Sequence, residues 1–420
     1  MRIGIYSAGI LIKEVNMKKI KGGVCAPKGF KANGVHCGIR KNKNKLDLAL
    51  ITCDVKCKAA GVYTKNKVKG APLTVTKANI ADGTAQAVIC NSGNANTCNA
   101  DGIEKAKMTC DMVQKHTSIS ASDVIVASTG VIGEVLNMQP IAEGMPSLVE
   151  GLSDKGSEYA AKAIMTTDRV MKEIAYSFEI DGRECRIGGI AKGSGMINPN
   201  MATLLCFVTT DVNISSEMLS CALSKTVKET LNMVCIDGDT STNDMLSIMS
   251  SGLAGNKEIE GKGKEYNEFC KCLKKALTHL AREIAKDGEG ATKLLECKVV
   301  KAKNAKCAKS IAQSVISSSL VKAAMFAADA NWGRILCAIG YTDERFDVDK
   351  IDVDLKSTAG MIRVCENGSG IPFDEDVASK ILSQDEVTII VTCNDGGAKA
   401  TAWGCDLTYE YVKINADYRT

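Results

Sequence analysis

Aromatic residues are scarce in this 420-residue sequence: at 4% they include two tryptophans and seven phenylalanines. A core must then be built from Ala, Val, Ile, Leu, Met and Cys. The 45% hydrophobic content allows that, and the length suits two domains or one large layered body. Histidine is scarcer still, with only His36, His116 and His279. None sits in a recognisable motif and no G-x-S-x-G occurs, so neither a Ser-His-Asp hydrolase nor a zinc enzyme has its side chains. No apolar run approaches the eighteen residues of a membrane span. Residues 3–12 are mostly apolar but too short, and no small-residue cleavage site follows them. Residues 1–20 are therefore expected to be an N-terminal extension, with Met17 a candidate start, and the protein is expected to be cytoplasmic and free of membranes. An excess of one charge is missing as well: 53 basic residues face 49 acidic ones, net +4. With no basic run interleaved with aromatics, nucleic acid is excluded as a partner.

Nineteen cysteines are present, yet no C-x-x-C is among them. Cys53 and Cys57 are four apart, Cys270 and Cys272 two apart, and the rest are scattered. That pattern suits neither a metal site nor a disulfide framework, so the thiols are expected to serve as small buried side chains. No metal is expected. Phosphate loops fare no better. GEGATK (288–293) lacks the full Walker spacing and follows a helical pattern, and Gly193-x-Gly195 lacks the third glycine of a dinucleotide fingerprint.

What the chain does contain is interspersed apolar periodicity. Strands are predicted at Leu46–Thr52, Ala87–Cys90, Val124–Ala127, Thr203–Thr209, Val387–Thr392 and Ala400–Cys405. Helices are predicted at Ala95–Lys115, Tyr159–Met165, Ser216–Met233, Tyr266–Lys286 and Ser310–Ala328. The strand–helix–strand beat of a doubly wound sheet is absent, which favours α/β sandwich layers with mixed sheets over a Rossmann-type fold. Glycine-rich loops follow many of these segments: NSGNAN (91–96), STGVIG (128–133), KGSG (192–195), DGDTSTND (237–244), DGEGATK (287–293) and NDGG (394–397). Loops of that kind are where sites are assembled.

One loop stands apart. KGSGMINPNMATLLCFVTTD (192–211) runs from a glycine turn through Asn-Pro-Asn into Thr203, at the start of an apolar run. The Thr203 hydroxyl either begins a strand, caps something, or acts as a nucleophile. The last needs no histidine, because a threonine freed as the first residue of a chain carries its own amine base. It requires cutting the Ala202–Thr203 bond, and a tight loop with a small residue at 202 suits an attack by the hydroxyl on the preceding carbonyl.

The same stretch resembles the self-cleavage segment of the ornithine acetyltransferase family, also called glutamate N-acetyltransferase. GGVCAPKGF (22–30), AGVYTKNKVKGAPL (60–73), CNSGNANTC (90–98), STGVIGE (128–134), IMTTD (164–168), DGDTSTNDM (237–245), DGEGATK (287–293), ADANWGRI (328–335) and residues 400–420 resemble family blocks in family order. The resemblance implies a precursor cut between Ala202 and Thr203 into an α chain, 21–202, and a β chain, 203–420, assembled as α2β2. It implies that Thr203 takes the acetyl group from N2-acetylornithine and passes it to glutamate, with acetyl-CoA a further possible donor and no cofactor. By position, Thr129 and Gly130 match the oxyanion hole, and Lys192, Glu289, Asn415, Thr420 and Thr167 or Thr166 match substrate-binding positions. Asn198, the run Arg169–Lys172 and Ala330 depart from the family pattern. The rival expectation is a self-processing N-terminal nucleophile aminopeptidase or amidohydrolase on the same scaffold, with water as acceptor.

Overall fold

The computed structural model describes residues 17–198 and 204–417. Among these, one sheet has nine strands and a second has seven. The larger runs Lys18–Lys19, Lys172–Ile180, Arg183–Lys192, Leu205–Thr210, Met245–Ser250, Leu48–Tyr63, Thr84–Asn91, Val124–Ser128, with Phe30–Val35 also alongside Leu48–Tyr63. The smaller runs Ser369–Gly370, Gly360–Glu366, Asp352–Ser357, Glu386–Thr392, Leu294–Ala302, Ala398–Cys405, Val234–Cys235. Both mix parallel and antiparallel pairs: Leu205–Thr210 lies parallel to Met245–Ser250 but antiparallel to Arg183–Lys192. The α/β sandwich with mixed sheets, and not a Rossmann sheet, is what the interspersed pattern predicts.

Small apolar side chains fill both faces of the larger sheet. Leu48 and Leu50 join one cluster with helices Gly102–Thr117 and Gln139–Glu150, while Ala49 and Ile51 join another with helix Ser157–Ala163. That is the period-two alternation of a strand buried on both faces. Helix Lys264–Lys286 packs on Lys172–Ile180 and Arg183–Lys192 of the larger sheet and on Leu294–Ala302 and Ala398–Cys405 of the smaller. Phe269, Leu273, Ala276, Leu277, Leu280 and Ile284 are buried at helical spacing along it, and Lys271, Lys274 and Lys275 face solvent. All nineteen cysteines are free and most are buried, as small apolar residues would be. Among the described residues no helix is long and apolar enough to cross a membrane.

Several segments differ from the sequence expectation. The helix expected from Ala95 begins at Gly102, because Asn96 and Cys98 take left-handed backbone angles (φ 49° and 63°) and Asn94 Oδ1 accepts the Asn96 N–H at 2.7 Å. The helix expected over Ser310–Ala328 is two, Ala305–Ser317 and Ser319–Phe326, since Ser318 turns out of helical geometry to cap the second. Helix Ser216–Val227 stops short of Met233 and tightens into a 3-10 turn, Leu231–Met233. The extension expected over residues 1–20 includes Lys18 and Lys19, which pair with Ser177 and Tyr176.

Candidate active site

Lys192 ends one strand directly opposite Leu205, which begins the next. The loop between them leaves and re-enters the middle of the larger sheet. Of the residues expected to act here, Ala202 and Thr203 lie outside the described residues, as does Thr420.

Three neighbouring segments clamp the described part of this loop. The Met196 and Ile197 N–H groups donate to the Asp237 carboxylate at 2.6 and 2.9 Å, and Thr240 Oγ1 donates to Asn198 O at 2.9 Å. Those bonds hold Met196 at φ 55°, a conformation that costs an L-residue about 1–2 kcal/mol. Glu289 N donates to Ser194 O at 2.8 Å, and the Thr167 and Ser194 hydroxyls share a hydrogen bond of 2.6 Å. Gly193 N donates to Asp168 Oδ1 at 2.8 Å.

Asp168 is the centre of a buried network. Its Oδ1 lies 2.6 Å from Lys172 Nζ, which lies 2.6 Å from Asp287 Oδ2, while Asp168 Oδ2 accepts the Thr166 N–H at 2.9 Å. Burial raises the Asp168 pKa, but the nearby Lys172 and Lys192 ammoniums and two hydrogen bonds outweigh it and hold the carboxyl well below the usual range. Lys192 is buried and its pKa is pulled down by desolvation, with Asp168 opposing. The motif IMTTD thus delivers two hydroxyls to the site and, through Asp168, holds Lys172 and the Gly193 turn that follows Lys192.

Thr129 and Gly130 follow strand Val124–Ser128. Asn91 O accepts the Thr129 N–H at 2.9 Å, and Gly130 has φ 126°, open only to glycine. Asn243 ties this turn to two other loops. Its Nδ2 donates to Ala95 O (2.6 Å) and Ser128 O (2.9 Å), and its Oδ1 accepts from the Thr97 and Thr242 hydroxyls, both at 2.6 Å. From the far end of the chain, helix Tyr409–Ala416 brings Asn415, whose Nδ2 donates to Glu289 Oε2 at 2.8 Å.

These groups face one cavity of about 270 Å³, on which Thr129, Gly130, Thr166, Thr167, Lys192, Glu289 and Asn415 all open. Every expected site residue that the structure describes is on its wall, and both threonines of IMTTD are. None of the three histidines is. A larger cleft of about 480 Å³ lies elsewhere, lined by Lys225, Lys228, Lys262 and Lys309, and holds none of the expected residues. No cluster of three metal-ligating side chains occurs among the described residues. Sequence reading missed Asp168, Lys172, Asp237, Asn243 and Asp287. Four of the five stand inside or beside quoted blocks, but their roles depend on partners far away in the chain.

Residues 31–420 match the ArgJ family. The chain belongs to the ArgJ family. A curated member, the arginine biosynthesis bifunctional protein ArgJ of Caldanaerobacter subterraneus subsp. tengcongensis, is 47% identical over 405 residues, 96% of this chain and 100% of that protein. The protein of that name from Geobacillus kaustophilus is 47% identical over 401 residues, 95% of this chain and 96% of its own. A solved ornithine acetyltransferase from Mycobacterium tuberculosis, complexed with ornithine, is 36% identical over 44% of this chain and 100% of that chain, with a TM-score of 0.41. The ArgJ match reaches the last residue of the chain, so it spans every segment that lines the cavity.

Proposed function

We infer that this chain is a glutamate N-acetyltransferase of arginine biosynthesis, moving the acetyl group of N2-acetyl-L-ornithine to L-glutamate. The observation that carries the reading is one cavity lined by Thr129, Gly130, Thr166, Thr167, Lys192, Glu289 and Asn415, drawn from five separate segments of an ArgJ chain.

In this reading Thr203 first cuts its own chain. Its hydroxyl attacks the Ala202 carbonyl carbon, the C–N bond breaks to leave an ester and an amine, and water releases residues 1–202. The freed amine is then the base. It takes the hydroxyl proton as Oγ attacks the acetyl carbonyl, and returns it to the departing ornithine nitrogen. Thr129 Oγ1 and the Gly130 N–H are suited to hold the oxyanion, a contact worth roughly 3 kcal/mol per donor. Lys192 is suited to a substrate carboxylate and Glu289 to the ornithine ammonium. Glutamate attacks the acetyl-enzyme in the second half-reaction. The relatives' word "bifunctional" supports acetyl-CoA as a second donor, and the two chains are proposed to assemble as α2β2, with Thr420 closing the substrate site.

Intact mass and turnover test this together. The purified protein is expected as two pieces, residues 1–202 and 203–420, and to make N-acetylglutamate from acetylornithine only when glutamate is added. Thr203→Ala is expected as one 44.6 kDa chain without activity. Ornithine released at the same rate without glutamate supports hydrolysis in place of transfer, and an uncut wild-type chain overturns the mechanism.

A further inference from the structure

Asn243 lines the main cavity, yet its side chain has no hydrogen-bonding capacity left to offer a substrate. It is buried, and an amide can donate two hydrogen bonds and accept two. All four are made within the protein: Nδ2 donates to Ala95 O and Ser128 O, and Oδ1 accepts from the Thr97 and Thr242 hydroxyls. The Thr97 hydroxyl lies closer to Oδ1 than to Ala95 O, at 2.6 against 3.2 Å. Carbonyl oxygens only accept, so the amide has one orientation. The backbone on either side is fixed as well, since Gly70 N donates to Thr242 O and Thr64 N to Asp244 O, both at 3.0 Å. Room for the amide exists because residue 70 is glycine: a Cβ there would lie 2.6 Å from Asn243 Nδ2.

What Asn243 holds is the turn that carries Thr129 and Gly130. The peptide joining Ser128 to Thr129 is pinned at both ends, its carbonyl by Asn243 and its N–H by Asn91 O at 2.9 Å. On the far side of the turn Val131 O accepts the Ala95 N–H at 2.9 Å, and Ala95 O is the second carbonyl that Asn243 engages. Thr129 and Gly130 are thus bracketed by two anchored residues. Among the described residues no hydrogen bond engages Thr129 Oγ1 or the Gly130 N–H, and both residues line the cavity.

We propose that Asn243 is the positioning residue for these two donors, fixing them by clamping the Ser128 turn to the Ala95 loop. This rests on the reading of Thr129 and Gly130 as the oxyanion hole given above. A donor lowers a transition state most when it is already in place as charge develops on the carbonyl oxygen, because a mobile one must first be ordered. Misplacing a positioned group by about 1 Å can cost about 100-fold in rate. Asn243 itself touches no reacting atom. Its effect falls on kcat and not on KM, because the acetyl oxygen becomes an oxyanion only on the way through the transition state.

The test is a double-mutant cycle in steady-state transfer from acetylornithine to glutamate. Wild type, Thr129→Ala, Asn243→Ala and the double variant are compared, with intact mass and melting temperature recorded for each. Asn243→Ala is expected to lower kcat about 100-fold with KM within about threefold of wild type. The double variant is expected to be little slower than Thr129→Ala alone, because both changes disable one device. A general structural loss would instead multiply with that of Thr129→Ala. Multiplying losses, or Asn243→Ala with wild-type kcat, overturn the proposal. If Asn243→Ala fails to fold or to mature, Gly70→Ala decides in the same cycle. The backbone angles of Gly70 (φ −62°, ψ 140°) admit alanine, and the added Cβ displaces the amide while leaving it in the protein. A lowered kcat that does not multiply with Thr129→Ala supports the proposal, and wild-type kcat or multiplying losses overturn it. Thr129→Ala with wild-type kcat, or a wild type without transferase activity, sinks the reading beneath the proposal, a distinct result.

Discussion

Gly195 shows how narrowly single residues shape this site. A Cβ built on it falls onto the Glu289 carboxylate, the group that also accepts from Asn415. Because the obstructing atoms end a flexible side chain, Gly195→Ala is expected to leave the melting temperature within a few degrees of wild type while pushing Glu289 aside. Loss of a hydrogen bond to a charged group is worth ~1.5–3 kcal/mol, so KM for acetylornithine should rise roughly 10- to 100-fold with kcat less affected. Steady-state kinetics check it. Gly130 differs: a Cβ there meets the backbone of Gly93 at 2.5 Å and Asn94 N at 2.7 Å, and neither can yield.

At the scale of elements, the Asp168–Lys172–Asp287 network joins four ends: the Thr166 turn, the start of strand Lys172–Ile180, the Gly193 turn and the end of helix Lys264–Lys286. Removing one member of a buried charge network costs about 3–5 kcal/mol, the expected loss for Asp168→Asn at neutral pH. The pH dependence has a definite sign. Asp168 is held below its unfolded pKa, so its contribution is fully present above about pH 4 and is lost as pH falls below that. The wild-type melting temperature should therefore drop more steeply than that of Asp168→Asn as pH falls from about 4 to 2. Calorimetry across that range is the check. Helix Lys264–Lys286 was foreshadowed almost whole by periodicity, because a face buried against a layer repeats at a fixed interval, whereas of strand Leu48–Tyr63 only the part up to Thr52 was. Helix Tyr409–Ala416 was not: it buries none of its residues and carries no stripe to read.

The whole molecule sets the consequence of a cut at 202–203. Strands Arg183–Lys192 and Leu205–Thr210 pair along six positions, from Ile187 opposite Thr210 to Lys192 opposite Leu205, and helix Lys264–Lys286 packs on the first of them. One apolar cluster holds residues from both sides of the cut, including Ile174, Phe178, Val208 and Leu280. The two pieces of the cleaved wild type should thus co-elute in size-exclusion chromatography under native conditions and separate only in denaturant. Pieces that part without denaturant would contradict this packing.

What needs only local order was legible from the sequence: the mixed layering and most of the glycine-rich loops that line the cavity. Short-range patterns suffice there, since turns and periodic faces are set within a few residues. The tertiary structure alone decided that Thr129, Lys192, Glu289 and Asn415 share one cavity and that Asp168, Lys172 and Asp287 form one buried network beside it. Each of those facts depends on burial and on partners tens to hundreds of residues away, and neither is written in the spacing of the chain.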